Sequence, residues 1–287
     1  MDRVVVGLDG SSTATAATRW ATRVAERSGW PVRAVWAWQY PATTILPIGR
    51  ADLPNPEEVE RRLAERAREL LQNSLGESAG RVSLEFHRGP ATSVLLHAVN
   101  QGARMAVVGS RGLGGFEGML LGSVSRQLVE HATCPVTVVR EEQVAAADRL
   151  ERIVVGIDGS RGAGRALAFA GELARAIDAE LIVASAVSPS DLVQGHGEEP
   201  HTGFDEHRRL VLEWTEPLRE SDIDHEVVVV DGDARTALLE LSAERGADLL
   251  VVGSRGLGPV GRLLLGSVAS SLVKHAWLPV MVVPCGR

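Results

Sequence analysis

The chain has 287 residues, 45% of them hydrophobic and 23% charged, a composition typical of folded domains that excludes a disordered chain. Its net charge is −7, and most of the acidic excess falls after residue 144. An acidic second half repels a phosphodiester backbone, so nucleic acid is not an expected partner. We find no apolar stretch long enough to span a membrane and no signal peptide, so we expect a cytoplasmic protein without a membrane partner.

Apolar, β-branched runs alternate with helical patterns along the chain. Strands are predicted, in chain order, at residues 4–8, 32–38, 82–86, 105–108, 136–139, 153–157, 181–187, 226–230, 249–252 and 280–283. The clearest helix start is Asn55-Pro56-Glu57-Glu58, a capping residue followed by proline at the first helical position and by acids that favour the helix dipole. The alternation predicts a doubly wound α/β fold, in which helices cover both faces of a parallel sheet.

Two segments of the chain are copies of each other. Residues 109–139 share 19 identities with residues 253–283, and both copies keep the order glycine, two residues, glycine, nine residues, glycine, serine. The sequence RVVVGLDGS at residues 3–11 likewise matches RIVVGIDGS at residues 152–160. Such agreement indicates an internal duplication.

The duplication predicts two tandem domains, residues 1–144 and 150–287, each of an ordinary size for one hydrophobic core. A polar and alanine-rich stretch at residues 141–151 is predicted to be the linker. Two cysteines, Cys134 and Cys285, do not make a disulfide framework, and we expect both to be buried thiols.

Residues at the strand ends point to a ligand. Asp9 follows the first predicted strand and Gly109 the fourth, and sheets of this class bind ligands beyond the carboxyl ends of their strands. Glycines let the backbone approach an anion, and free N–H groups at the helix start after Gly122 can bind phosphate oxygens. Ser123 can cap that helix and donate a hydroxyl, while Asp9 can bind ribose hydroxyls or a metal ion on the phosphates. The predicted ligand is a nucleotide, and the second copy repeats these residues as Asp158, Gly253, Gly266 and Ser267.

These residues also have structural interpretations. Asp-Gly after a strand is a common turn, so for Asp9 and Asp158 a structural role and a functional role are equally favoured. Arg111 and Arg255 lie inside the loops, where phosphate contact is slightly favoured over simple solvation. Structural or solvated roles are favoured for five of the eight histidines, which are His131, His196, His201, His207 and His275.

Two familiar phosphate-binding motifs are disfavoured. A P-loop needs Gly-Lys-Ser/Thr, and the single lysine of the chain, Lys274, lies well past the glycine loop. Gly256, Gly258 and Gly261 spell G-x-G-x-x-G, but they follow the fourth strand of their half, and Glu117 breaks the pattern in the first copy. A dinucleotide-dependent dehydrogenase is therefore not expected.

The glycine and serine spacing, the V-V-G-x-D-G-S strand and the closing H-A-x-x-P-V strand resemble the universal stress protein family in its ATP-binding branch. The resemblance covers both halves. It implies two five-stranded parallel sheets in the order 3-2-1-4-5, adenine beside the backbone at the end of the second strand, ribose on the aspartate and phosphates on the glycine loop. The nucleotide-binding residues so identified are Gly7, Asp9, Ala37, Gly109, Ser110, Arg111, Gly112, Gly114, Gly115, Gly122, Ser123, Val124, Gly156, Asp158, Ala186, Gly253, Ser254, Arg255, Gly256, Gly258, Gly266, Ser267 and Val268.

The implied cofactor is ATP, with Mg or Mn as an optional companion, and the implied function is nucleotide-dependent regulation in the stress response. The resemblance also implies intrachain pairing of the two domains through their last strands, and we expect a homodimer. No histidine or carboxylate has a spacing to the loop that would activate water, so at most weak ATP hydrolysis is expected. The alternatives are a nucleotide-free dimerisation or scaffolding module and a slow ATPase.

The two copies differ at a few positions. Pro259 replaces Gly115, which removes one N–H donor from the second loop. Trp36 and Trp38 flank Ala37 in the first half only. Stacking of adenine on a tryptophan and packing of both rings in the core are both open interpretations.

Overall fold

The computed structural model describes residues 3–39, 55–114, 120–143, 149–188, 200–257 and 265–286. The first half contains β1 (Val4–Gly7), α1 (Ser12–Ser28), β2 (Val32–Trp38), α2 (Pro56–Leu75), β3 (Val82–Arg88), α3 (Ala91–Asn100), β4 (Met105–Gly109), α4 (Ser123–His131) and β5 (Val136–Val139). The second contains β6 (Arg152–Gly156), α5 (Arg161–Ile177), β7 (Glu180–Val187), α6 (Pro200–Trp214), α7 (Glu216–Glu220), β8 (Glu226–Asp231), α8 (Ala234–Glu244), β9 (Leu249–Gly253), α9 (Ser267–His275) and β10 (Val280–Val283).

The predicted strands are all present, with bounds that shift by at most two residues. The predicted start of α2 is also correct, because the side chain of Asn55 accepts a hydrogen bond from the N–H of Glu57 and Pro56 opens the helix. Within the described ranges, no helix is both long and apolar enough to cross a membrane.

The ten strands form one sheet in the order β3-β2-β1-β4-β5-β10-β9-β6-β7-β8. Each half has the predicted parallel order 3-2-1-4-5, which confirms the fold class. The two sheets are continuous, since β5 pairs antiparallel with β10 and places Thr137 opposite Met281. The second half therefore runs in the opposite direction to the first.

Helices cover both faces of this sheet. Alternate strand residues point to opposite faces, so Val4 and Val6 pack with Trp20 of α1, while Val5 packs with Leu95 of α3 and Leu128 of α4. All six side chains are nearly inaccessible to solvent. Burial of each large apolar side chain stabilises the fold by roughly 1.5–3 kcal/mol, so packing on both faces holds the sheet together.

Polar contacts reinforce the junction of the halves. The Arg140 guanidinium donates to the carbonyl oxygens of Val273, at 3.1 Å, and Lys274, both in the last turn of α9. Gln143 Nε2 donates to the carbonyl of Ala276 at 3.1 Å. These carbonyls have no partner within their own helix, so the first half caps the C-terminus of a helix in the second.

Candidate functional site

The strand-end aspartates hold the glycine loops in place. Asp9 Oδ1 accepts a hydrogen bond from the N–H of Ser11 at 2.9 Å, and its Oδ2 accepts one from the N–H of Leu113 at 3.1 Å. Asp158 makes the same pair of contacts in the second half, with Ser160 at 3.0 Å and Leu257 at 3.1 Å. Each carboxylate thus bridges the end of one strand and the loop that follows its neighbour. The structural interpretation of the aspartates is supported, and spare lone pairs remain for a ligand.

Close backbone packing explains several of the repeated glycines. A Cβ at Gly112 would lie 2.5 Å from Asp9 Oδ2, and Gly256 has the same relation to Asp158. A Cβ at Gly109 would lie 2.6 Å from the carbonyl carbon of Thr13 in α1. Since real Cβ atoms do not come so close, only glycine lets the loop, the carboxylate and the helix meet at this edge of the sheet.

The helix that follows each glycine loop begins without a side-chain cap. Gly122 is the N-cap of α4 and Gly266 that of α9, and neither has a side-chain hydrogen bond to the first turn. The predicted capping by Ser123 and Ser267 is therefore wrong, because both serines already occupy the first helical position. By contrast, Ser11 caps α1 through the N–H of Ala14. The first-turn N–H groups of α4 and α9 are accordingly not occupied by a capping side chain.

Most of the predicted residues line a cavity in their own half. The first cavity has a volume of about 290 Å³ and includes Gly7, Asp9, Ala37, Gly109, Arg111, Gly112, Gly114, Gly122, Ser123 and Val124. The second has a volume of about 630 Å³ and includes Gly156, Asp158, Ala186, Gly253, Arg255, Gly256, Gly266, Ser267 and Val268. The topology thus gathers nearly every predicted residue beside the ends of the first and fourth strands of each half.

Four predicted residues do not belong to these linings. Ser110 and Ser254 are buried behind the loops, where each carbonyl accepts a hydrogen bond from the N–H of Gly122 or Gly266 at 2.7 Å. They close the loop rather than face the cavity. Gly115 and Gly258, with Pro259 beside the latter, lie outside the described residues.

The tryptophans of β2 belong to the core. Trp36 and Trp38 are buried on the face covered by α1 and α2, and the Trp36 ring centroid lies 6.4 Å from that of Phe86. Ala37 lies between them in sequence and lines the first cavity. Core packing is therefore the correct interpretation of these two rings.

Apolar residues of both cavities were missed by motif reasoning. Leu95 of α3 and Leu238 of α8 line equivalent walls and lie against Gly7 and Gly156 respectively. The sequences ATSVLL in α3 and ARTALL in α8 repeat at corresponding places, so comparison of the two copies would have identified both leucines.

Three of the histidines considered from the sequence have structural contacts. His131 and His275 each hydrogen-bond through Nδ1 to a carbonyl one turn earlier in their helix, and His207 bonds to Ser185 Oγ at 2.9 Å. His196 and the side chain of His201 lie outside the described residues. No group of three or more potential metal ligands occurs within the part of the chain that the structure describes.

Comparisons with known proteins agree with this arrangement. The model of the universal stress protein family matches residues 1–140 and 149–284. A universal stress protein of Mycolicibacterium smegmatis is 32% identical over 288 residues, covering 98% of this chain and 96% of the relative. One of Mycobacterium tuberculosis is 33% identical over 291 residues, covering 97% and 95%.

A solved structure shares the fold along its whole length. The crystal structure of a universal stress protein from Archaeoglobus fulgidus has a TM-score of 0.70 and 22% identity, and the match covers 99% of this chain and 98% of that one. The family match and the relatives confirm the family predicted from the motifs. The chain therefore belongs to the universal stress protein family, a family of the stress response.

Proposed function

We propose that each half binds one adenine nucleotide, with ATP as the ligand, and that the chain is a nucleotide-dependent regulator. The observation that carries the proposal is the repeated cavity, which combines a glycine loop, a strand-end carboxylate and an uncapped helix start in both halves. Uncapped first-turn N–H groups and the helix dipole favour an anion such as phosphate.

Different lining residues of the first cavity suit the base, the ribose and the phosphates of a nucleotide. The apolar side of the first cavity, with Val35, Leu95 and Val108, suits the base. The carboxylate of Asp9 suits ribose hydroxyls, and the exposed hydroxyl of Ser123 suits a phosphate oxygen. A side chain at Gly122 would press on the backbone of the glycine loop, since a Cβ there would lie 3.3 Å from the carbonyl oxygen of Ser110.

Binding is favoured over catalysis by the groups that face the cavities. Asp9 and Asp158 are the carboxylates among the described lining residues, and both already brace a loop. A metal ion such as Mg or Mn would add charge neutralisation on the phosphates, with these carboxylates as the protein ligands at hand. We therefore propose a regulator that responds to nucleotide occupancy, with hydrolysis weak at most.

Calorimetric titration with ATP tests the proposal. We expect two nucleotides per chain in the unaltered protein and one in either Gly122→Asp or Gly266→Asp, because the new carboxylate repels phosphate at the helix start. Circular dichroism confirms that each variant is folded. Saturation at zero in the unaltered protein would leave the nucleotide-free scaffolding function, and unchanged stoichiometry in a folded Gly122→Asp protein would remove the loop as the phosphate site.

We also propose that the halves stay paired within one chain and that two chains form a homodimer in the cytoplasm. The β5 and β10 pairing and the contacts of Arg140 support the first part. Sedimentation equilibrium should give twice the chain mass of 30.6 kDa. A mass of one chain at micromolar concentration would remove the homodimer from the proposal.

A further inference from the structure

The two cavities differ in extent as well as in volume. Beyond the parts that both halves share, the lining of the second continues to Ser160, Arg161 and Gly162 at the start of α5 and to Cys285 and Gly286 after β10. The equivalent residues of the first half are absent from the lining of its cavity. We call this additional part of the second cavity the extended compartment.

Side chains fill the corresponding space in the first half. The hydroxyl of Ser12 donates to Glu141 Oε2 at 2.5 Å, which links the start of α1 to the segment after β5. Next to it, Thr13 Oγ1 donates to the carbonyl oxygen of Arg111. Thr13 is buried, so its side chain occupies the gap between α1 and the glycine loop.

The second half lacks these side chains. Ser11 and Ser160 are equivalent caps, so Arg161 corresponds to Ser12 and Gly162 to Thr13. Cys285 follows Val283 by two residues, as Glu141 follows Val139. At the place of Thr13, Gly162 packs directly on the loop, since a Cβ there would lie 2.4 Å from the carbonyl oxygen of Arg255 and 2.7 Å from Cys285 Sγ. Arg161, Gly162 and Cys285 thus give this part of the second half a different lining from its equivalent in the first.

The same differences reverse the local charge. The first half has the carboxylate of Glu141 at this place, whereas the second has the guanidinium of Arg161 and no acidic side chain in the extended compartment. Arg161 and Arg255 both line the second cavity, and neither side chain has a hydrogen-bonding or ionic partner among the described residues. A helix starts here in both halves, so the contrast comes from the side chains and not from the helix dipole.

We propose that the second half prefers an adenine nucleotide whose phosphate chain is at least one phosphoryl group longer than that of ATP. The first half gains no affinity from the added group. This inference rests on the proposed function. The extended compartment continues directly from the glycine loop with Arg255, and the guanidinium of Arg161 complements a phosphoryl group in charge and geometry. At the equivalent place the first half instead has the hydrogen-bonded pair of Ser12 and Glu141, whose negative charge disfavours a further phosphoryl group.

Titrations with ATP and adenosine 5′-tetraphosphate test the inference in the full chain. Gly122→Asp removes nucleotide binding in the first half, so the affinity of the second half can be measured alone. Gly266→Asp does the same for the first half. We expect the tetraphosphate to bind the second half roughly tenfold more tightly than ATP, as one added charge-assisted contact predicts, with no gain in the first. Adding Arg161→Ser to Gly122→Asp should bring the ratio of the two affinities close to one.

Arg175→Ser is the matched control, because it removes the same charge from the exposed last turn of the same helix. It should leave the ratio unchanged. Equal ratios in the two halves, or a ratio insensitive to Arg161→Ser, would overturn the inference while ATP binding stood. A gain in ATP affinity with added inorganic phosphate, without a gain for the tetraphosphate, would overturn the longer chain in favour of a separate anion. Absence of ATP binding in both halves would overturn the proposed function as well.

Discussion

At the scale of single residues, Gly112 and Gly114 show why one loop glycine is constrained and its neighbour is not. A Cβ at Gly112 would lie 2.5 Å from the Asp9 carboxylate, but a Cβ at Gly114 has no atom within 4 Å. Gly112→Ala should displace Asp9 from the N–H of Leu113 and lower the free energy of unfolding by about 1 kcal/mol, the net value of one hydrogen bond. Gly114→Ala is the control and should change it little. Urea denaturation of both variants gives the comparison, and equal stabilities would contradict the bracing role of Asp9.

The two cysteines provide a second test at this scale. Burial raises the pKa of the Cys134 thiol to about 12, whereas Cys285 is only half-buried and lines the second cavity, contrary to the prediction that both thiols are buried. Because the thiolate is the reactive form, Cys134 stays protonated and unreactive at pH 8. Ellman's reagent should titrate one thiol per chain in the folded protein and two in guanidinium. Two rapidly reacting thiols in the folded state would contradict the burial of Cys134.

At the scale of elements, α5 packs on β9 through a glycine that admits no substituent. A Cβ at Gly253 would lie 2.7 Å from the carbonyl carbon of Gly162, whereas a Cβ at Gly164, also in α5, has no atom within 4 Å. Gly253→Ala should push α5 away from the sheet and destabilise the fold by roughly 1–3 kcal/mol. Gly164→Ala should stabilise it by roughly 0.5–1 kcal/mol, because alanine favours a helix interior. Thermal unfolding of both variants measures the two signs, and a shift in the same direction for both would contradict this packing.

The elements also show how far sequence reasoning reaches. Buried parallel strands such as β4 and β9 are continuous apolar runs, so their positions and their order were predictable from pattern and family resemblance. Helix capping at Ser123 was not, because the choice between the serine and Gly122 as N-cap depends on local backbone angles. The difference between the two cavities could not be predicted from the sequence either, because it depends on contacts among Thr13, Arg111 and Glu141, which are distant in the chain.

At the scale of the whole molecule, the β5 and β10 junction predicts that the halves recognise each other. Both strands are apolar, and an unpaired apolar edge promotes association. Separately expressed residues 1–144 and 150–287 should therefore associate in sedimentation velocity experiments. Thr137→Lys in the first fragment should abolish this association, because Thr137 is fully buried opposite Met281. Two stable fragments that sediment independently would contradict the prediction.

The antiparallel junction determines from which side of the sheet another macromolecule can reach each cavity. Each cavity lies at the carboxyl ends of the strands of its half, and the halves run in opposite directions, so the cavities open at opposite rims of one rigid sheet. If nucleotide binds as proposed, a macromolecule that binds at one edge of the sheet contacts the nucleotide site of one half only. The two proposed nucleotide sites can therefore be approached separately, from opposite edges of the sheet.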